Sequence, residues 1–154
     1  MQYYFSKEDL QDGEILMELK LAFLDDMVEQ KLLDVLQCLR DSTVLVPMNP
    51  GMQPALVQTP NGDRYLPMFS REDQIPADYA ATVTIHKMEA VKCVGLAHKL
   101  NNVVGLVLDG FTKQVNLAFE VADIIPKMDS QLSGGGLAMP TFQPENIEIK
   151  KAKK

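Results

Sequence analysis

Apolar residues recur at helical spacing in two places near the start of the chain. Ile15, Leu19, Ala22 and Phe23 fall at i, i+4, i+7 and i+8, positions that share one face of an α-helix. Ser6 or Asp12 is placed to cap this helix, Gly13 blurs its start, and Asp25-Asp26 interrupts the pattern. A second stripe, Val28, Leu32, Val35, Leu36 and Leu39, runs unbroken, with Gln30, Lys31, Asp34, Gln37 and Arg40 as its polar back. Asp26, with Glu29 three residues on, has the form of a capping box. Each large aliphatic side chain buried along such a stripe contributes on the order of 1.5–3 kcal/mol before entropy is subtracted. The stripe therefore predicts a layer to pack against, most simply a sheet.

Strand patterns follow at once. Thr43–Val46 is short and β-branched, and Pro47 is expected to end it, with a Pro- and Gly-bearing loop from Met48 to Pro54. Leu56–Thr59 and Arg64–Phe69 flank Asn61-Gly62, which predicts a β-hairpin. Along the return strand Tyr65, Pro67 and Phe69 alternate to one face, and Leu66 and Met68 to the other. Pro67 has no N–H, so that position must lie at an open edge or a bulge. Ser70 reads as the cap of a short helical turn that contains Asp73 and stops at Pro76. Next come a strand at Thr82–Ile85 and a helix from about His86 to Ala97, with Ala90, Cys93, Val94 and Ala97 on one face. Val103–Leu108 is nearly continuous in apolar residues, the pattern of a central strand covered on both faces. Asp109-Gly110 turns the chain, Val115–Leu117 adds a short strand, and a last helix spans Phe119–Met128, limited by Pro126.

These elements define an α/β fold with α+β character: a mixed β-sheet with a β-hairpin, packed by N-terminal and crossover helices. A single domain is expected over 1–128. Residues 129–154 read as a linker with three consecutive glycines and a basic tail, in which Ile147–Ile149 offers one edge strand.

The stretches "TVLVP", "DRYLPMFSRED", "TVTIHKMEAVKCV" and "VVGLVLDGFTKQVNLAFEVADII" occur in an order that resembles the N-terminal domain of the SseB family, named for enhanced serine sensitivity. Tyr65-Leu66-Pro67-Met68-Phe69-Ser70 carries most of the resemblance, which spans roughly Leu32 to Ile125. It implies a mixed α/β domain and supplies no catalytic residues.

Charge and composition narrow the function classes. The net charge of −6 and pI of about 4.9 argue against a nucleic-acid partner, which calls for a basic footprint. No apolar run approaches the ~20 residues that span a bilayer, and "MQYYFSKEDL" has no secretory pattern. Cys38 and Cys93 both lie in apolar helical patterns, as free thiols of a reducing compartment do. A cytoplasmic location is expected.

The chemistry motifs are sparse. His86, His98 and the two cysteines show no metal-ligand spacing, so neither a metal nor a cofactor is expected. His86, Glu89 and Cys93 share one side of the predicted helix like a base, an orienter and a thiol. Positions 86 and 93 are, however, about 10 Å apart along a helix axis, well beyond the ~3 Å of a working pair. Gly134-Gly135-Gly136 lacks the Lys-Ser/Thr of a phosphate loop. Asp25-Asp26 and Glu72-Asp73 each sit where acids favour a helix N-terminus. Met48, Met52 and Met68 gather around the hairpin, and Tyr65, Met68, Phe69 and Arg71 form the candidate partner surface.

The expectation is a non-catalytic binding or adaptor domain with a protein partner. Two alternatives stand beside it. One is a small enzyme with a site assembled in three dimensions around Cys93, His86, His98 or Asp109. The other is an interaction module acting through Lys150, Lys151, Lys153 and Lys154.

Overall fold

Two sheets meet at one residue pair. The computed structural model describes Leu10 and residues 12–130. Its helices are α1 (Glu14–Asp25), α2 (Glu29–Asp41), α3 (Ala77–Ala80), α4 (Ala90–Lys99) and α5 (Phe119–Ala122). Its strands are β1 (Thr43–Asn49), β2 (Gln53–Pro54), β3 (Val57–Gln58), β4 (Arg64–Met68), β5 (Thr84–Glu89), β6 (Val103–Leu108) and β7 (Val115–Ala118), with 3-10 turns at Glu72–Gln74 and Ile125–Lys127. One sheet has the order β2-β1-β5 and is antiparallel; the other is β3-β4-β6-β7, with β4 and β6 parallel. Leu45 and Phe69 join them by two bonds, Leu45 N–H to Phe69 O at 2.9 Å and Phe69 N–H to Leu45 O at 2.8 Å. The fold is thus mixed α/β.

That junction explains both strand prolines. Leu45 gives its N–H and C=O to Phe69, so the alternation of an antiparallel ladder leaves Val44, Val46 and Met48 to bond β5. Pro47 then faces away from β5. Its C=O accepts from Ala55 N–H at 3.0 Å, and its missing donor leaves no gap in the β1–β5 ladder. For this reason β1 does not stop at Pro47 as expected but runs to Asn49. The expected Met48–Pro54 loop instead closes as a tight hairpin onto β2, with Gly51 and Met52 in the left-handed region at φ 90° and 64°. On β4 the same alternation turns the N-side of Pro67 towards the edge carrying β3, yet β3 pairs only with Arg64 and Tyr65. Pro67 sits in the interval between β3 and the Leu45 junction.

The Asn61-Gly62 hairpin is present. Thr59 N–H bonds Asp63 O at 2.8 Å and Gly62 N–H bonds Thr59 O at 2.9 Å, with Gly62 at φ 96°. This is a three-residue loop with its glycine in the left-handed region.

Several helix boundaries move. The helix expected from His86 starts at Ala90, because β1 is long enough to keep residues 84–89 extended and Ser42 O takes the Ala90 N–H at 3.0 Å. His86 is therefore a strand residue. Asp26 caps nothing: α2 starts after Val28 without a side-chain cap, and Asp26 pairs with Lys31 at 3.3 Å. Asp12 does serve α1, accepting from Glu14 N–H at 3.0 Å. The expected last helix divides into α5 and the 3-10 turn at Pro126. The Ser6 cap and the Ile147–Ile149 strand lie outside the described residues.

The core lies between the sheet and the helices. Leu36 and Leu39 of α2, Cys93 and Ala97 of α4, Leu66 and Met68 of β4, and Leu106 and Leu108 of β6 are all sealed from water. On α1 the buried positions are Leu16 and Lys20, while Ala22 is exposed. The inward face is thus rotated from the expected Ile15–Leu19–Ala22–Phe23 stripe.

Candidate functional site

A lysine at 0% exposure needs a reason. Lys20 Nζ lies 2.8 Å from Asp109 Oδ2, and Asp109 is as deeply buried. Asp109 ends β6 with φ 56°, a left-handed turn that Asp tolerates better than most residues. Its N–H continues the parallel ladder by donating to Met68 O at 2.8 Å. Its carboxylate also accepts from Ser70 N–H at 2.8 Å and Ser70 Oγ–H at 2.7 Å. Three donors converge on one carboxylate, from α1 and from the end of β4. Taking two charges out of water costs several kcal/mol per ion, and this geometry of hydrogen bonds is what offsets it. Gly13 completes the corner. It stands at φ 76°, and a Cβ there would come 2.0 Å from Ser70 O. Only glycine lets the start of α1 lie against this turn.

The corner extends through aromatic rings. Phe69 stacks on Phe111 at 6.0 Å, and Tyr79 meets Phe111 at 4.7 Å. Thr112 Oγ–H donates to Gln74 Oε1 at 2.6 Å, which ties the β6–β7 loop to the turn after Ser70.

On its other side Ser70 faces an open cleft of about 880 Å³. Leu45 and Thr43 come from β1 and Lys87 from β5, while Arg71, Glu72 and Asp73 form one rim, with Asp12 and Asp41 also lining it. Four carboxylates against two cations give the cleft an acidic bias. Arg71 Nε reaches Asp73 Oδ2 at 3.5 Å, a solvent-exposed pair of small energetic weight.

The sequence-derived candidates fare unevenly. Met68 and Phe69 are at 0% exposure, so neither presents a surface; the alternation that sends one to each face of β4 buries both, because both faces are covered. Tyr65 is half-buried, and Arg71 alone of the four lines the cleft. Ser70 is no helix cap: its hydroxyl belongs to Asp109, and the following turn starts after Arg71 without a side-chain cap. Cys93 points into the core at 0% exposure, and burial pushes its thiol up to about 12. Burial likewise pushes Cys38 up to about 11, against a lowering hydrogen bond with Ser42. His98 faces outward, stacked on Phe119 at 4.0 Å with Nε2 2.6 Å from Asp123 Oδ1. His86 is half-buried on β5, and its Nε2 has no hydrogen-bond partner among the described residues. The histidines, Cys93 and Asp109 thus have separate surroundings. Among the described residues no group of three or more His, Cys, Asp or Glu is placed to hold a metal ion, and no helix is long and apolar enough to cross a membrane.

Lys20 escaped the sequence reading. Its signal was a cation four residues after Leu16, enclosed by Leu19 and Leu21, in a stretch otherwise apolar on that side.

A mixed α/β domain organised around a sealed Lys–Asp–Ser corner, with an open charged cleft beside it, is the class the geometry defines. Residues 19–124 match the SseB protein N-terminal domain. The chain belongs to the SseB family. No curated protein and no solved structure matches it.

Proposed function

We propose that this chain works by contact and not by catalysis, as a cytoplasmic binding domain whose protein partner meets the cleft beside Ser70. One observation carries the reading. Among the described residues, the place where a lysine, a carboxylate and a hydroxyl converge is closed on itself: Lys20 and Asp109 are sealed, and the Ser70 hydroxyl is already donating to Asp109. A nucleophile needs an open approach and an available base. The adjoining cleft is open and lined by charges of both signs with an acidic excess, and such charges steer and orient a partner. Buried thiols with raised pKa values suit a reducing compartment and offer no reactive nucleophile at neutral pH.

The test is affinity capture from the source cell with the full chain, set beside a chain carrying Arg71→Glu, Glu72→Lys and Lys87→Glu. The reading predicts that partners held by the unaltered chain are lost with the cleft variant and kept with Lys113→Glu, a substitution in the β6–β7 loop. Equal yields from all three chains would overturn it. A second arm addresses catalysis: a thiol-reactive probe at pH 7 should label neither Cys38 nor Cys93 in the native protein, and rapid labelling of Cys93 would favour an enzyme.

A further inference from the structure

Among the described residues, the antiparallel sheet has no strand beyond β5. The alternation that turns Val44, Val46 and Met48 towards β5 turns Met88, His86 and Thr84 back towards β1. The N–H groups of Ile85, Lys87 and Glu89, with the C=O groups of Ile85 and Lys87, therefore point the other way, and none of them bonds another described residue. Lys87 and Glu89 are exposed and Ile85 is half-buried. This edge is also a margin of the cleft. Leu45 pairs with Lys87 and Thr43 with Glu89, so these positions share one face of the sheet, and Thr43, Leu45 and Lys87 line the cleft. A strand laid along β5 would send every second side chain to that same face.

We propose that the protein partner enters as an extended segment that pairs with β5 and points its alternate side chains to the cleft side, an inference that rests on the reading of the cleft as a binding surface. The pairing is antiparallel, the more stable arrangement per residue. Main-chain bonds to the open edge supply affinity, and side chains on alternate positions supply selection. Opposite charges directly across two strands stabilise the pair and like charges destabilise it. The segment that fits therefore carries a cation opposite Glu89, an anion opposite Lys87 and an apolar residue opposite Ile85, which in chain order is cation-x-anion-x-apolar. The acidic excess of the cleft adds to the preference for the cation. A second copy of β5 fits less well. The register that uses all three outward residues sets Lys87 against Lys87, and the register that sets Lys87 against Glu89 joins only those two residues, because the chain turns into α4 at Ala90. A lysine on an open edge is a common guard against such self-pairing.

Amide hydrogen exchange on the full chain tests this, with the end-capped peptide Lys-Val-Glu-Thr-Val as the probe. In the free chain the Ile85, Lys87 and Glu89 amides should exchange at least about tenfold faster than those of His86 and Met88, which face β1. Millimolar peptide should slow the three outward amides at least about fivefold and leave those of β7, the outer strand of the other sheet, unchanged. Methylating the amide nitrogen of the peptide's Glu, which removes its main-chain donor, should abolish the slowing. Exchanging the peptide's Lys and Glu should weaken it at least about twofold, since like charges then face each other. No slowing, or equal slowing by the methylated peptide, would overturn the proposal. So would outward amides already protected in the dilute free chain, or protection that grows with protein concentration, which would put a second copy on the edge. The outcome is separable from the function proposed above. An edge indifferent to the peptide, with partner capture still dependent on Arg71, Glu72 and Lys87, removes only the strand pairing. A protected edge with capture indifferent to those three residues removes the cleft reading instead.

Discussion

Ser70 has two sides, and they use charge in opposite ways. Towards the interior its N–H and hydroxyl meet Asp109, which is paired with Lys20 where no water reaches. Towards solvent the next residues, Arg71, Glu72 and Asp73, line an open cleft. The distances alone would not reveal the contrast, since the exposed His98–Asp123 pair is even shorter than Lys20–Asp109, at 2.6 against 2.8 Å. Burial decides. A sealed ion pair that loses one member strands an uncompensated charge, whereas an exposed pair that loses one member is rehydrated. The sealed side therefore fixes how α1, β4 and β6 meet, and the open side contributes little to stability.

The largest effect should come from breaking the sealed side. Lys20→Met leaves Asp109 charged and buried, and should lower unfolding free energy by about 3–5 kcal/mol in urea denaturation. Adding Asp109→Asn should recover part of the loss, because the amide oxygen still accepts from Ser70 N–H and Asn suits the left-handed backbone. If the two single losses simply add, the pair is not the pin described here.

Alkaline pH should act next. Both thiols have folded pKa values raised by burial above the ordinary 9.0, to about 11 for Cys38 and about 12 for Cys93. Below pH 9 both folded and unfolded chains hold these protons, and the thiols confer no pH dependence. Above pH 9 the unfolded chain releases them and the folded chain does not, so stability falls as pH rises through the 9–12 window. The slope approaches about 1.4 kcal/mol per pH unit for each thiol. Cys93→Ala should be less stable at pH 7 yet show a shallower decline between pH 9 and 11.

Gly13→Ala should cost at least about 1–2 kcal/mol, from left-handed strain at φ 76° and the approach to Ser70 O. The smallest stability effect belongs to the open side: Glu72→Lys with Asp73→Lys should change unfolding free energy by under about 0.5 kcal/mol while altering what the cleft holds.

Much of the framework was legible in the sequence because it rests on short-range signals. Val103–Leu108 announced a central strand, Asn61-Gly62 a hairpin, and Val35, Leu36 and Leu39 the buried face of α2. What stayed hidden depends on contacts distant in sequence. Nothing local links Lys20 to Asp109, and the pair becomes visible only when α1 is laid against the ends of β4 and β6. The start of α4 was misplaced because pairing with β1 holds residues 84–89 extended, and pairing overrides local propensity. The candidate surface on β4 was half lost for a related reason: alternation assigns Met68 and Phe69 to opposite faces, but it does not say that both faces are covered. Only Arg71, just past the strand, opens onto the cleft. In that cleft Asp12, Thr43 and Lys87 stand together although they come from three separate stretches of chain.

The division between a sealed corner and an open cleft is tested most directly by partner capture with the chain carrying Arg71→Glu, Glu72→Lys and Lys87→Glu, its thermal midpoint measured in parallel. The account predicts a midpoint within about 2–4 °C of the unaltered protein, as a change of no more than about 1 kcal/mol implies, together with loss of the captured partner. Undiminished capture at an unchanged midpoint would contradict it.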